Sequence, residues 1–458
     1  MHTTRSAARM GASLLASPLT ALLGWAGLLI AAWVSLTDNG AWVFKLDSFV
    51  YYYAVLQWHD GGSLYEWYAN PAQSLWPFTY TPLAAWLITP LTLLTYEWAT
   101  ALLVAATPLC AGLTAWAALR ALAGDRPGPS TPRPSTPQRR ALIRGAAPWV
   151  GLLGVMLLEP FPKTMEYGQV NAILMALVAV DLLLVPERSR WRGALSGLAA
   201  AIKLTPAIAV LVLLARGEWR AAATMVGSAV GLTALAALAS PTETWDFFTW
   251  AMWDSGRAGF ADYSGNQNLK GAIARGLPES LWTPAWAACA AAAVLAAWLL
   301  CRRLDALRSS QAGALLPSPS PAVTSQTGTP LTGSDSAPTP SAPWDDGLIL
   351  LLQVCAVMTL GLLISPISWS HHWVWSLPSI IALGAASWRW YSTSLGVAAL
   401  AGAMVFIVAM QWWFPEQNHV EQDWPTWAKA VGSSYTWWAL GSGVTLALVA
   451  GRRARRSA

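Results

Sequence analysis

The stretch GALSGLAAAIKLTPAIAVLVLL, residues 193–214, decides the topology of this chain. Read as one helix, it is long enough to cross a bilayer. It would then set the basic clusters at 188–192 and 216–220 on opposite sides. Read as two short helices meeting at Lys203-Leu204-Thr205-Pro206, it is a hairpin, and both clusters stay on one side. Pro206 has no backbone N–H to donate and breaks a helix. A lysine inside an apolar run costs about 2.5–3.5 kcal/mol at the bilayer centre on insertion scales. The hairpin relieves that cost by placing Lys203 outside the membrane or in a cavity, and it is the reading adopted.

The rest of the sequence agrees with a membrane solvent. Of 458 residues, 55% are hydrophobic and only 11% are charged, and 30 are tryptophan. A soluble domain carries roughly 25% charged residues, so the composition excludes both a disordered chain and a soluble enzyme. The net charge of +5, from 28 Lys+Arg against 23 Asp+Glu, is clustered. It lies at Arg5 and Arg9, in 126–144, at 188–192, 216–220 and 302–308, and in the tail Arg452–Arg456. In a membrane protein these clusters read as cytoplasmic anchors, not as a nucleic-acid surface. The four cysteines (Cys110, Cys289, Cys301, Cys355) lie in or beside apolar runs without a CxxC pair, so neither a disulfide framework nor a zinc site is expected.

Apolar runs of spanning length occupy 15–36, 98–122, 169–185, 221–239, 284–301, 347–364, 394–414 and 435–451, with shorter ones at 82–94, 146–158, 193–203, 206–215 and 373–388. The first reads as a retained signal anchor. Basic residues at both termini call for an even number of crossings. The expected fold is therefore all-α: one polytopic membrane domain over 1–458, with about twelve transmembrane helices and interfacial helices in the outer loops. Residues 1–239 form its first helical block with an outer loop at 37–97. An outer loop follows at 240–283 and a C-terminal block at 284–458. The run 82–94 is expected to be re-entrant or interfacial. Two Pro/Ser/Thr-rich linkers, 124–139 and 309–344, are too polar to fold and are expected to be disordered on the inner side.

This layout gathers the polar residues on the outer face. Asp47 opens a helical stretch, 47–59, that ends at Gly61-Gly62. It is either a general base at the interface or a cap of its own helix. Lys203 either faces a bound anion or snorkels to the interface. His371 and His372 are adjacent, so they point different ways on a helix and make a poor metal pair. One of them suits a phosphate or a sugar; an interfacial role facing water is the alternative. Gln169 and Asn171 begin a spanning helix, where amides suit an anion or sugar hydroxyls or merely cap it. Asn266 and Gln267, with Arg257, Lys270 and Arg275 nearby, form either a binding segment or a solvated helix. There is no P-loop and no dinucleotide-binding glycine motif. Asp181 and Lys203 are the main ionisable groups inside apolar runs, too few for an ion-driven transporter.

Taken in order, several blocks resemble one family. They are Asp47 with Tyr51, Gly62 and Tyr65; Pro77-Phe78-Thr79-Tyr80-Thr81-Pro82-Leu83 with Pro90-Leu91; and Glu166-Tyr167-Gly168-Gln169-Val170-Asn171. Then come Ala201-Ile202-Lys203-Leu204-Thr205-Pro206, Asn266-Gln267 with Gly271 and Arg275, and SPISWSHHWVW at 365–375. Together they resemble the actinobacterial polyprenol-phosphate-mannose-dependent alpha-1,2-mannosyltransferases, GT-C-fold membrane enzymes of glycosyltransferase family 87. The resemblance covers roughly residues 15–450 outside the two linkers.

The resemblance implies a plasma-membrane enzyme with its site facing the periplasm. A polyprenyl-phosphate-mannose donor and a glycolipid acceptor, a phosphatidylinositol mannoside or lipomannan, are expected, with no metal and no other cofactor. It implies Asp47 as general base. Lys203, His371 and His372 are expected at the donor phosphate. Gln169, Asn171, Asn266, Gln267, Tyr80, Trp369 and Arg257 are expected around the sugars. The residues fit that chemistry. A carboxylate at its ordinary pKa, about 3.9, takes the acceptor proton, while Lys203 and a histidine stabilise the departing phosphate. A single base opposite the leaving group implies inversion. A polyprenyl-phosphate-arabinose-dependent arabinosyltransferase and a sugar-lipid transporter are the alternative readings.

Overall fold

The computed structural model describes residues 14–38, 41–73, 75–124, 136–313, 345–416 and 418–457. Its main helices, in chain order, are α1 (Pro18–Leu36), α2 (Leu46–His59), α3 (Pro82–Ile88) and α4 (Tyr96–Leu122), followed by α5 (Pro137–Leu157), α6 (Pro160–Tyr167), α7 (Asn171–Leu184) and α8 (Ala194–Ile202). Then come α9 (Val210–Ala215), α10 (Trp219–Ala239), α11 (Leu269–Gly276), α12 (Trp282–Gly313), α13 (Asp345–Ile364), α14 (Ser376–Trp390), α15 (Thr393–Val408) and α16 (Ser434–Ser457). Helices dominate, as the apolar runs require. Two short antiparallel ribbons, Thr37–Asp38 with Ala41–Trp42 and Tyr68–Asn70 with Leu75–Pro77, are small additions within the 37–97 loop of an otherwise helical fold.

Among the described residues, seven helices are long and apolar enough to cross a membrane. The expectation of about twelve counted shorter ones as well. Helix α7 has 14 residues and α8 has nine, roughly 21 Å and 13 Å at 1.5 Å per residue. Both fall short of an apolar core about 30 Å thick. The run 82–94 folds as α3 followed by a 3₁₀ turn, Thr89–Leu93, and is likewise too short to span. The linker bounds also shift inward. Thr136 caps the N-terminus of α5, so 137–139 are helical, and α12 extends to Gly313. Residues 125–135 and 314–344, the rest of both linkers, and Arg5 and Arg9 lie outside the described residues.

Helix α4 is the hub, packed on α1, α5, α7, α13 and α14. Its crossing with α5 is made by glycines: a Cβ on Gly151 would stand 2.6 Å from the Gly112 Cα. Small residues at a crossing let membrane helices approach until their backbones touch. Helix α13 is the most enclosed span, with 83% of its apolar window buried, against 11% for α12. The bare faces of the outer helices carry leucines such as Leu19, Leu22, Leu295 and Leu299, which an apolar solvent accepts without cost.

The stretch 193–215 is a hairpin. Glu218 receives the guanidinium groups of both Arg192 and Arg216, so the two ends of the stretch meet. The foot is fully cross-linked. Arg192 also donates to the carbonyls of Asp181, Leu182 and Val185, which end α7. Arg216 reaches Glu187 at 2.8 Å, Asp346 at 3.0 Å and Gln353 at 3.1 Å. Asp181, the acid inside an apolar run, accepts from the Gly193 and Ser196 N–H groups at 2.8 Å each. It thereby satisfies donors that a helix N-terminus leaves open. The tip is the predicted break. Lys203 ends α8 in an extended conformation, and Pro206 sits in the 3₁₀ turn Thr205–Ala209. The Ala201 and Ile202 carbonyls at this break accept from Thr81 Oγ1 at 2.5 and 3.2 Å. The 37–97 loop is thus stitched to the hairpin tip.

Candidate active site

Four segments meet at the tip: the start of α2, the 78–82 loop, the α6–α7 turn and the loop between α13 and α14. Helix α2 is capped at Lys45 without a side-chain bond, and Asp47 lies in its first turn. Capping is therefore not the role of Asp47. Its Oδ2 is buried without a hydrogen-bond partner and lies 3.9 Å from His371 Nε2, which is also buried and unpartnered. Burial pushes the Asp47 carboxyl up to about 7, with the Lys203 charge and then the Gln169 amide pulling it down. This corrects the expectation of an ordinary carboxylate.

Lys203 projects from the break and donates to Asn171 Oδ1 at 3.1 Å and Tyr80 Oη at 3.2 Å. Its ammonium stands 5.0 Å from the Tyr80 ring centre. Tyr80 donates on to Gln169 Oε1 at 2.8 Å and accepts from Tyr51 at 2.9 Å. Tyr51, one turn after Asp47, is thus part of the network, and the i, i+4 spacing was its signal. The turn that presents Gln169 depends on Gly168, at φ +70°, where a Cβ would stand 2.8 Å from Ser48 Oγ. A left-handed, crowded position of this kind suits glycine.

The two histidines do different things. Their rings are perpendicular, 4.7 Å apart. His371 faces Asp47, while His372 lines a cavity of about 40 Å³ with Lys203, Asn171, Thr205, Ser365 and Ser368. Ser368 Oγ is a buried hydroxyl with no partner. Burial and then the Lys203 charge hold both imidazoles well below their ordinary pKa. They are neutral at pH 7, so of the three groups expected at the phosphate only Lys203 carries charge here. No group of three or more His, Cys, Asp or Glu fit for a metal occurs among the described residues.

The remaining candidates lie further out. Asn266 and Gln267 are fully buried, and their amides are spent on backbone. Asn266 accepts from Ser368 N at 2.9 Å and donates to Ala261 O at 2.8 Å. Gln267 donates to Ser264 O and Gly432 O at 2.7 and 2.6 Å. They are neither solvated nor open to a ligand; they hold the histidine loop against its neighbours. Trp369 is partly exposed and pairs its backbone with Asn266. Arg257 donates to the Tyr65 carbonyl and stands 4.8 Å from the Trp250 ring centre.

Sequence reading missed Glu159. It follows an apolar run and precedes a proline, and it lies half-buried against the histidine loop. It accepts from Trp412 Nε1 at 2.7 Å, and from Ser370 Oγ and Tyr435 Oη at 2.8 Å. Burial raises its carboxyl. A lone acid bounding an apolar run was the available signal.

The arrangement can take a proton at Asp47, which faces His371, and hold an anion at Lys203, which lines the small cavity with His372. The model of glycosyltransferase family 87 matches residues 78–321. Two relatives carry the name polyprenol-phosphate-mannose-dependent alpha-(1-2)-phosphatidylinositol mannoside mannosyltransferase. The one from Mycolicibacterium smegmatis is 33% identical over 456 residues, covering 94% of this chain and 89% of its own. The one from Mycobacterium tuberculosis is 31% identical over 423 residues, covering 87% and 83%. A further M. tuberculosis relative, named as a phosphatidylinositol pentamannoside mannosyltransferase of the same dependence, is 31% identical over 77% of this chain and 68% of its own. With a matching family model and two relatives above 30% identity along most of their length, this multi-pass membrane chain belongs to glycosyltransferase family 87.

Proposed function

We propose that this enzyme moves mannose from polyprenyl-phosphate-mannose to a phosphatidylinositol mannoside, in alpha-1,2 linkage, on the extracytoplasmic side of the plasma membrane. The observation that carries the reading is the buried, unpartnered Asp47 Oδ2 facing His371, with Lys203 and His372 lining a small cavity on the other side of the histidine pair. Asp47 takes the proton of the acceptor 2-hydroxyl. The oxygen attacks the anomeric carbon as the bond to the phosphate oxygen breaks, and polyprenyl phosphate leaves. Lys203, Ser368 and the neutral His372 hold the departing phosphate. His371 faces the acceptor oxygen beside Asp47. Attack opposite the leaving group turns a beta-linked donor into an alpha-mannoside. A base poised near pH 7 suits this task, because its ionised form is populated while it still accepts a proton readily.

The sidedness follows from charge. Arg192 and Arg216 lie at the hairpin foot, at the opposite end from Lys203, and arginine-rich ends face the cytoplasm. The donor and acceptor follow the names of the relatives. The test uses radiolabelled polyprenyl-phosphate-mannose, membranes containing the chain, and native mannolipids. Label in a lipid that an alpha-1,2-specific mannosidase strips is the expected result. Label resistant to that mannosidase overturns the linkage. Transfer from the arabinose donor instead overturns the sugar.

A further inference from the structure

His371 Nε2 makes no hydrogen bond that would hold its ring in place. The position of the ring is therefore set by the backbone that carries it, and that backbone is anchored on both sides of the histidine pair. Before the pair, Ser370 Oγ donates to Glu159 Oε1 at 2.8 Å. After it, the buried Trp373 packs on Tyr435 with ring centres 5.7 Å apart, and Tyr435 donates to Glu159 Oε2 at 2.8 Å. One carboxylate thus holds both flanks of the two histidines, directly at 370 and through one tyrosine at 373. Its own place is fixed from other directions. Glu159 N donates to the Phe406 carbonyl at 2.8 Å, and Trp412 Nε1 donates to Oε1 at 2.7 Å. Helix α6, which starts at the next residue, adds Thr164, whose hydroxyl donates to the His371 carbonyl at 2.8 Å.

We infer that Glu159 is a positioning residue for the transfer: through Ser370 and Tyr435 it holds the His371 ring against Asp47 and so keeps water from the base. The inference rests on the transferase reading above, in which Asp47 takes the acceptor proton. The gap from His371 Nε2 to Asp47 Oδ2 is 3.9 Å. That is too long for a hydrogen bond and too short to seat a bridging water. The ring acts there as a wall, and a wall works only if it is held still. A site of this kind needs its reacting groups locked by the bonds of residues behind them. Hydrogen bonds to an ionised acceptor are roughly twice as strong as neutral ones, which suits a carboxylate to the task. The titratable groups around Asp47 are Lys203, His371, Tyr51 and Tyr167. Burial is what lifts the Asp47 carboxyl, so a loosened ring admits water and lets the carboxyl fall back toward its ordinary range.

The test follows transfer across pH by the full-length chain in lipid vesicles, with polyprenyl-phosphate-mannose as donor and a phosphatidylinositol mannoside as acceptor. Glu159→Gln keeps the size of the side chain and removes its charge. It should lower kcat by about 10-fold and leave the donor KM within about 2-fold of wild type. It should also move the rising limb of the kcat profile to lower pH. Loss of a negative charge acts in the same direction, so Ser370→Ala, which changes no charge, separates the two causes. Ser370→Ala should move the limb the same way and lower kcat by about 3- to 5-fold. The double variant should lose no more than Glu159→Gln alone, because both changes break the same link. A limb that stays at the wild-type pH in Ser370→Ala, or losses that multiply in the double variant, overturns the inference. A lower melting temperature with kcat, KM and the limb unchanged makes Glu159 a structural residue only and overturns it as well. In each of these cases wild type still transfers mannose, and the transferase reading stands. No transfer by wild type overturns that reading and the positioning role with it.

Discussion

The foot and the tip of the 193–215 hairpin each bury charge, and they treat it in opposite ways. At the foot, Arg192 and Arg216 share Glu218, and the remaining guanidinium donors reach carbonyls, Glu187, Asp346 and Gln353. At the tip, Lys203 finds only neutral oxygens, and Asp47 Oδ2 and His371 Nε2 face one another without a bond. A saturated network holds a shape. An unsaturated one stores free donors and acceptors for something that arrives later, and such groups mark sites of chemistry.

Three substitutions test that contrast. Asp47→Asn should reduce turnover by about 10²–10⁴-fold, while thermal unfolding stays at or above the wild-type temperature, because a costly buried carboxyl has been removed. A large drop in melting temperature would show that the tip is structural like the foot. Glu218→Gln should do the reverse. Leaving two buried guanidinium groups short of a counter-charge costs about 3–5 kcal/mol, measured as lost resistance to denaturant, and the surviving folded fraction should transfer mannose at the wild-type rate. The smallest effect is expected at Gln169→Leu. The ionised carboxylate is the base, so the rate should rise with pH through about 7 and then level off. Gln169 pulls the carboxyl down, and its loss should move that rising limb to higher pH. A limb that stays in place would remove Gln169 from the electrostatics of the base.

Much of this was legible in the residues. Pro206 and the two basic clusters were enough to predict the hairpin, and the structure joins its ends. Asp47, Lys203, Gln169, Asn171, Tyr80 and the two histidines come together in the fold. What escaped was whatever depends on the neighbours a residue meets in space. The ordinary pKa expected for Asp47 failed because the helix start is buried under three other segments. Asn266 and Gln267 looked like ligands because their composition suits sugars; only the fold reveals that backbone carbonyls already use them. Glu159 went unread because its partners, Ser370, Trp412 and Tyr435, lie more than 200 residues away in the chain. The count of crossings stayed ambiguous because α7 and α8 are apolar but short.

The stitch from Thr81 to the hairpin tip joins residues 120 apart in the chain, and the bond from Thr164 to the His371 carbonyl joins residues 207 apart. A ribosome adds about 5–20 residues per second, so Asp47 is made on the order of tens of seconds before the histidine loop that faces it. Late in that interval the nascent chain carries Asp47 and Lys203 but lacks Ser368 and His372. The cavity that Lys203 shares with Ser368 and His372 therefore has no complete lining until the histidine loop has been made. The order of synthesis thus leaves the site unfinished until the chain is nearly complete.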